Sequence, residues 1–309
     1  MTDAAASGTS APVRFGLIGV DSSHALQFTR LLGDDRTGRV RDGTVVSAWQ
    51  GPTSADFPPS RDRNEPNARA LAESGVALLD SPEAVADASD ALLLVSSDVR
   101  TRHEQFARIA SFGKPVYVDT RFAADPDDAR RMLRQADDAG CLVLSGSPKR
   151  FTPAFRALPT AEVESIELRG PLVVQPGHPG LAWYGVHLVD LAVATFGPAC
   201  ALIEPLGSGV RLQWPDGRTA TLSGPADWDP WTRGRAQTPA GAVEFEIESS
   251  EDMLIGLLES VVRSCRSGRP NIDPAEILAI SDIVSEGSAA LSSRSPIALT
   301  TERQRPGAR

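Results

Sequence analysis

RFGLIGVDSSHALQFTRLL, residues 14–32, decides how the chain begins to fold. An apolar run over residues 13–20 delivers the backbone to Gly19, and an amphipathic helical pattern follows at once. This is the strand, turn and helix with which nucleotide-binding α/β domains open. Such a turn uses two more glycines, at its third and sixth positions, so that backbone approaches a pyrophosphate and the helix closes on the strand. Asp21 and His24 stand there instead. At ~4 Å and an effective dielectric of ~20, one carboxylate beside one phosphate charge costs about 4 kcal/mol before screening. Ser22 and Ser23 begin the helix and offer hydroxyls beside its free N–H groups, so either an anion site of altered shape or a plain helix cap fits.

Outward from this stretch, apolar runs alternate with helical patterns as far as residue 146: TVVSAW, VALL, ALLLVSS, PVYV and CLVLSG follow the first. Near-continuous hydrophobic strands such as residues 91–95 belong to a parallel sheet covered on both faces. Ser81, Pro82 and Glu83 form a helix start, and Gly113 and Gly140 close the helical patterns over 100–112 and 125–139. The predicted fold class is α/β: a Rossmann-like doubly wound parallel sheet over residues 13–148, then an α+β domain with a mainly antiparallel sheet over 149–295. In that second part VESIELRG, GPLVVQP, ALIEPLG, GVRLQWPDGRTATLSG and AVEFEIES alternate apolar and polar residues, and Pro215-Asp216-Gly217 is a hairpin turn. Helices are predicted over 181–196, 252–267 and 273–291, the last with the length to return to the first domain. Residues 50–66, QGPTSADFPPSRDRNEP, read as a long polar loop, 1–12 as a disordered leader and 296–309 as a tail.

Composition narrows the function classes. The chain has 309 residues, 41% hydrophobic and 23% charged, and no apolar stretch reaches the ~18 residues of a membrane span. A net charge of −9 with no basic stripe argues against nucleic acid as a partner. Cys141, Cys200 and Cys265 are too scattered for a disulfide framework or a thiolate metal site, which fits a reducing cytoplasm. His178, His187 and Asp190 have no recognised ligand spacing, so no metal is expected.

Three stretches, GLIGVDSSHALQFTRLL, the unit from DSPEAVADASDALLLVSS to GKPVYVDTRFA, and WYGVHLVDLAVATFG, occur in an order that resembles the Gfo/Idh/MocA family. Its members are NAD(P)-dependent oxidoreductases of sugars, cyclitols and related small molecules. The resemblance covers residues 13–295 and implies NAD or NADP as cofactor, a small polar or cyclic substrate and a homo-oligomer, dimer or tetramer, built on the second sheet. It places Gly19, Asp21, Ser22, Ser23, His24, Ser96, Ser97 and His103 along the cofactor, with Gln50 where an acidic residue usually holds the ribose. In the family's Glu-Lys-Pro turn, Asp119, Thr120 and Arg121 stand at those positions, so the usual lysine is missing; the resemblance sets Asp119 and Thr120 beside the cofactor and makes Arg121 a catalytic candidate. A hydroxyl is no substitute for an ammonium as an acid near neutral pH, whereas Arg121 suits a carboxylate or phosphate. In the family's Asp-x-Gly-x-His helix, Trp183 replaces the Asp while Gly185 and His187 remain. His187 is the candidate acid or base, Asp190 one turn on is positioned to orient it, and His178, on the Pro/Gly-rich loop just before, is a further catalytic candidate expected to line the same cleft. Because cofactor and catalytic positions have changed together, three readings stand: an oxidoreductase, a redox-neutral enzyme of proton transfer, elimination or cyclisation on the same scaffold with no dinucleotide, or an inactive ligand-binding homologue.

Overall fold

The computed structural model describes residues 11–33 and 38–299; most of the expected leader and tail, residues 1–10 and 300–309, lies outside the described residues. The opening strand β1 (Val13–Ile18) runs into helix α1 (Ser23–Leu31). Then come β2 (Gly43–Trp49), α2 (Pro58–Glu73), β3 (Ala77–Leu78) and α3 (Pro82–Ala88). They are followed by β4 (Ala91–Leu94), α4 (Arg102–Ile109), β5 (Val116–Val118), α5 (Pro126–Ala139) and β6 (Val143–Leu144). All six strands are parallel, in the order β3-β2-β1-β4-β5-β6. The apolar runs explain this sheet, since every residue of β4 and β5 is buried and only helices on both faces can bury both sides of a strand. The order reverses between β1 and β4, and the crevice above their carboxyl ends is where ligands bind in open sheets of this kind.

The second half contributes α6 (Pro153–Arg156), β7 (Ser165–Arg169), α7 (Gly185–Phe196), β8 (Leu202–Leu206), β9 (Gly209–Gln213), β10 (Thr219–Ser223), β11 (Trp231–Thr238) and β12 (Gly241–Glu248). The chain ends with α8 (Met253–Ser267), α9 (Pro274–Ser293) and β13 (Ile297–Ala298). The seven strands run β12-β11-β7-β10-β9-β8-β13, antiparallel throughout except for the parallel pair β7 and β10. Alternate burial along β11 leaves Arg233, Arg235 and Gln237 on the outer face and Ala236 inside. No helix among the described residues is long and apolar enough to cross a membrane.

Four segments differ from the sequence reading. Residues 58–66 are not loop but the first half of α2, started by Pro58-Pro59 in its opening turn; buried Asn64, Asn67, Ala68 and Leu71 anchor the helix and offset the interior Pro66. GPLVVQP, residues 170–176, forms no strand; Leu172 N–H is taken by Pro225 O, and Val174 is exposed. Ile297 and Ala298, from the expected tail, pair with β8. The C-terminal helices also return further than expected. Leu254, Leu257, Leu258 and Val261 of α8 belong to the core of the parallel domain, while α9 gives Ile277 and Leu278 to that core and Ala279, Ile280, Ile283 and Ala290 to the other.

Candidate active site

The turn after β1 is built from side chains rather than bare backbone. Gly19 has φ +76°, and a Cβ there would meet Ser96 Oγ at 1.9 Å, so this glycine is dictated by both conformation and space. Asp21 reaches across the switch point: its Oδ1 accepts Ser97 N–H at 2.7 Å, and Ser97 Oγ donates to the Asp21 carbonyl at 3.0 Å. Ser96 Oγ donates to Gln105 Oε1 at 2.6 Å. Ser22 caps α1 by accepting the His24 N–H. From α2, Asn67 Nδ2 donates to Val20 O at 2.7 Å and to Ser22 O at 3.1 Å, which ties that helix directly over the turn.

Asp119, at the end of β5, is the electrostatic hub beside it. Its Oδ2 accepts His24 Nδ1–H at 2.8 Å, and its Oδ1 accepts the Tyr117 hydroxyl and Thr120 N–H at 2.9 Å each. Burial pushes this carboxyl up, but His24, Arg102 and Arg121 together hold it well below the ordinary carboxylate range. Arg102 is fully buried and donates to the carbonyls of Ser96, Asp119 and Arg121. It thereby fixes the loop after β5 against the loop after β4. Arg121 itself is held at φ +71°, a left-handed conformation that costs an L-residue about 1–2 kcal/mol. Its guanidinium lies 3.9 Å over the Trp183 ring and donates Nη1–H to Trp183 O at 2.9 Å, while Nε has no hydrogen-bond partner. Burial and the neighbouring Arg102 charge pull its pKa down to about 10.

A cavity of about 200 Å³ opens between the domains, lined by Ser22, Ser23, His24, Asp119, Thr120, Arg121, Lys149, Tyr184 and His187 among others. Lys149 is 3% exposed; its Nζ donates to Ser249 Oγ at 2.8 Å and forms no ion pair among the described residues. Burial lowers the pKa of this amine to about 8, against the opposing charge of Asp229. His187 Nδ1 meets Ser147 Oγ at 2.8 Å, which leaves Nε2 as the nitrogen available to a ligand. Burial, with the charges of Lys149 and Arg121, holds its pKa well below the usual histidine value, so the ring is neutral at pH 7. Asp190 does not touch His187. Its Oδ2 accepts Ser147 N–H at 3.0 Å and its Oδ1 the Arg150 Nε–H at 2.7 Å, so it acts on the histidine through Ser147.

Other expected residues lie elsewhere. His178 packs between Phe57 and Trp183, at 4.8 and 5.2 Å between ring centroids, and lines a second cavity on the far side of Arg121. His103 faces Asp128 of α5, with Nδ1 to Oδ2 at 3.6 Å. Gln50 is on the surface, donating to Glu65. Thr120 Oγ1 is spent on Gly146 O. Among the described residues no group of three or more His, Cys, Asp or Glu is arranged to hold a metal ion. Spacing and motif give Lys149 no role, because its significance comes from burial beside a hydroxyl instead of a carboxylate.

Solved structures share the overall fold over nearly the whole chain. A probable dehydrogenase from Thermotoga maritima superposes with TM-score 0.75 at 15% identity, covering 93% of this chain and 98% of its own. The fold is that of the Gfo/Idh/MocA oxidoreductases. A myo-inositol 2-dehydrogenase from Lactobacillus plantarum (TM-score 0.73, 13% identity, 94% and 100% covered) has the same fold. So does an Agrobacterium radiobacter oxidoreductase in complex with NAD+, L-tartaric acid and magnesium (TM-score 0.72, 12% identity, 93% and 98% covered). In sequence, the inositol 2-dehydrogenase of Paracoccus denitrificans is 28% identical over 155 residues, 48% of this chain and 43% of that protein. The matched part is thus less than half of that relative's length. No family model matches the chain. The nicotinamide dinucleotide that this fold implies does not fit the residues at the switch point, where the buried Asp21 carboxylate and the Asn67 amide occupy the approach to the turn.

Proposed function

We propose that the protein is an enzyme that binds a small hydroxylated carboxylate in the inter-domain cavity and moves protons on it with Lys149 and His187. The single observation that carries the reading is Lys149: a buried amine, held by one hydroxyl, that faces the same cavity as a neutral histidine and a stacked arginine. With its pKa near 8 it is mostly an ammonium at neutral pH and serves as the acid; neutral His187 serves as the base through Nε2. Arg121 lines the same cavity, and its cation is placed to attract a carboxylate and to stabilise negative charge that develops beside that group when a proton leaves carbon. Ser147 and Asp190 position His187 rather than touch substrate. Balance is kept: one proton passes from substrate to His187, another from Lys149 to substrate, and solvent resets both.

The runner-up is NAD(P)-dependent oxidation of a sugar or cyclitol. It is favoured by the dehydrogenases that share the fold, and by the partial match to an inositol 2-dehydrogenase. Either enzyme would suit a reducing cytoplasm, given that Cys141, Cys200 and Cys265 form no disulfide. The test is deuterium exchange followed by NMR: full-length protein, D2O and a panel of three- to six-carbon hydroxy and keto acids, with no added cofactor. At least one acid should exchange a C–H, and Arg121→Gln should raise its KM. If neutral cyclitols raise the melting temperature while no carboxylate does, the reading fails.

A further inference from the structure

In place of a dinucleotide, the crevice above β1 and β4 holds the chain's own residues 51–67. The segment leaves β2 at the point where the ribose-binding residue of the fold would stand, and it crosses the switch point in three fixed steps. First, Asn64 Nδ2 donates to Gly51 O at 3.2 Å and Thr53 Oγ1 at 2.8 Å, which closes the segment on itself. Second, Arg100, from the loop after β4, clasps Asp56 with Nη1 at 2.7 Å and Asp98 with Nε at 2.9 Å. Third, Phe57 is completely buried against His178 and Trp183 of the second domain. Asn67 then seals the turn from above, and Asp21 bridges it from within. As a result Asp21, Ser22, Ser96 and Ser97, four of the groups set along a dinucleotide by the resemblance, are buried and bonded to protein, while Ser23 and His24 face the inter-domain cavity instead.

We infer that residues 51–67 are a built-in occupant of the dinucleotide crevice, and that the protein carries out its reaction without a nicotinamide dinucleotide. The segment also turns a cofactor wall into a substrate wall, because Arg63 of α2 lines the mouth of the inter-domain cavity beside Ser22 and Ser23. This deepens the proton-transfer reading by removing its redox competitor, and it rests on that reading only for the reaction class.

The full-length protein is titrated separately with NAD+, NADH, NADP+ and NADPH to millimolar concentration, with melting temperature, reduced-cofactor fluorescence and amide exchange recorded. A bound dinucleotide raises the melting temperature with the logarithm of its concentration over Kd. The expected result is no shift, unchanged fluorescence and identical slow exchange of the Ser97 amide with and without ligand. Saturable binding of any of the four overturns the inference, yet leaves the carboxylate test of Lys149 and His187 untouched. Asp21→Gly, which restores one missing glycine, should still bind none, since Asn67 and Phe57 remain in place. If that single change creates NADH fluorescence enhancement, the block is one side chain and the assignment to the segment is wrong.

Discussion

The crevice over β1 and β4 and the cavity between the domains are neighbours that share Ser22, Ser97 and Asp119 along their boundary, yet they treat polar groups in opposite ways. In the crevice, carboxylate, amide and hydroxyl groups are spent on protein: Asp21 on Ser97, Asn67 on two carbonyls, Ser96 on Gln105. In the cavity, Lys149 has one hydroxyl for company, Arg121 keeps an unpaired Nε, and His187 shows its free nitrogen. Paired polar groups make a wall, whereas buried groups with unmet capacity carry a cost of about 1–3 kcal/mol each that a ligand can relieve. On the proposed reading, this difference, more than the residue types present, is what tells a closed crevice from a cavity ready for a ligand.

The largest expected effect is at Lys149. Lys149→Met keeps the volume and removes the acid, and should lower kcat by about 10²- to 10⁴-fold. The wild-type rate should fall as pH rises through about 8, where the ammonium is lost. Stability moves the other way. Because the folded pKa is about 8 against an ordinary 10.5, the unfolded chain holds more protons between those values, and this residue's contribution to stability rises with pH across that window. Denaturant titrations at several pH values should show the slope, and Lys149→Met should flatten it.

Next in size is Asp119→Asn. Removing that charge leaves Arg102 buried without its counter-ion and His24 without its acceptor, at a cost of about 3–5 kcal/mol, measurable as a lower urea midpoint. A loss below 1 kcal/mol would mean that the carbonyls around Arg102 suffice and that Asp119 is no hub.

The smallest effect belongs on the crevice side. Gln50→Ala should change stability by less than about 0.5 kcal/mol and leave deuterium exchange unaltered, because the side chain only touches Glu65 on the surface. A clear loss of activity there would mean that the crevice is still in use.

Much of the fold was legible because it depends on periodicity. Apolar runs that alternate with helical patterns are enough to point to a parallel sheet, even though its edge strand β3 is exposed, and Pro215-Asp216-Gly217 does turn the hairpin between β9 and β10. The misread segments were those in which tertiary partners override local signals. QGPTSADFPPSRDRNEP has the composition of a loop, and nothing local tells that Asn67, just beyond it, will be buried by a turn more than forty residues earlier. The site was legible as a list and not as an arrangement. His187, Arg121 and Asp119 were named from their place in the fold, but which of the histidines shares a cavity with a lysine depends on contacts between residues a hundred positions apart, such as Lys149 with Ser249. The left-handed backbone of Arg121 leaves no mark in the sequence at all.

Helix α9, whose two ends are buried in different hydrophobic interiors, works as a splint across the joint. Swinging one half away from the other would tear apolar side chains out of one interior or the other, so the mouth between them has a fixed gape. Traffic in and out must then depend on side chains such as Tyr184 and Trp228 at the rim, and on heating the two halves should melt in a single calorimetric peak.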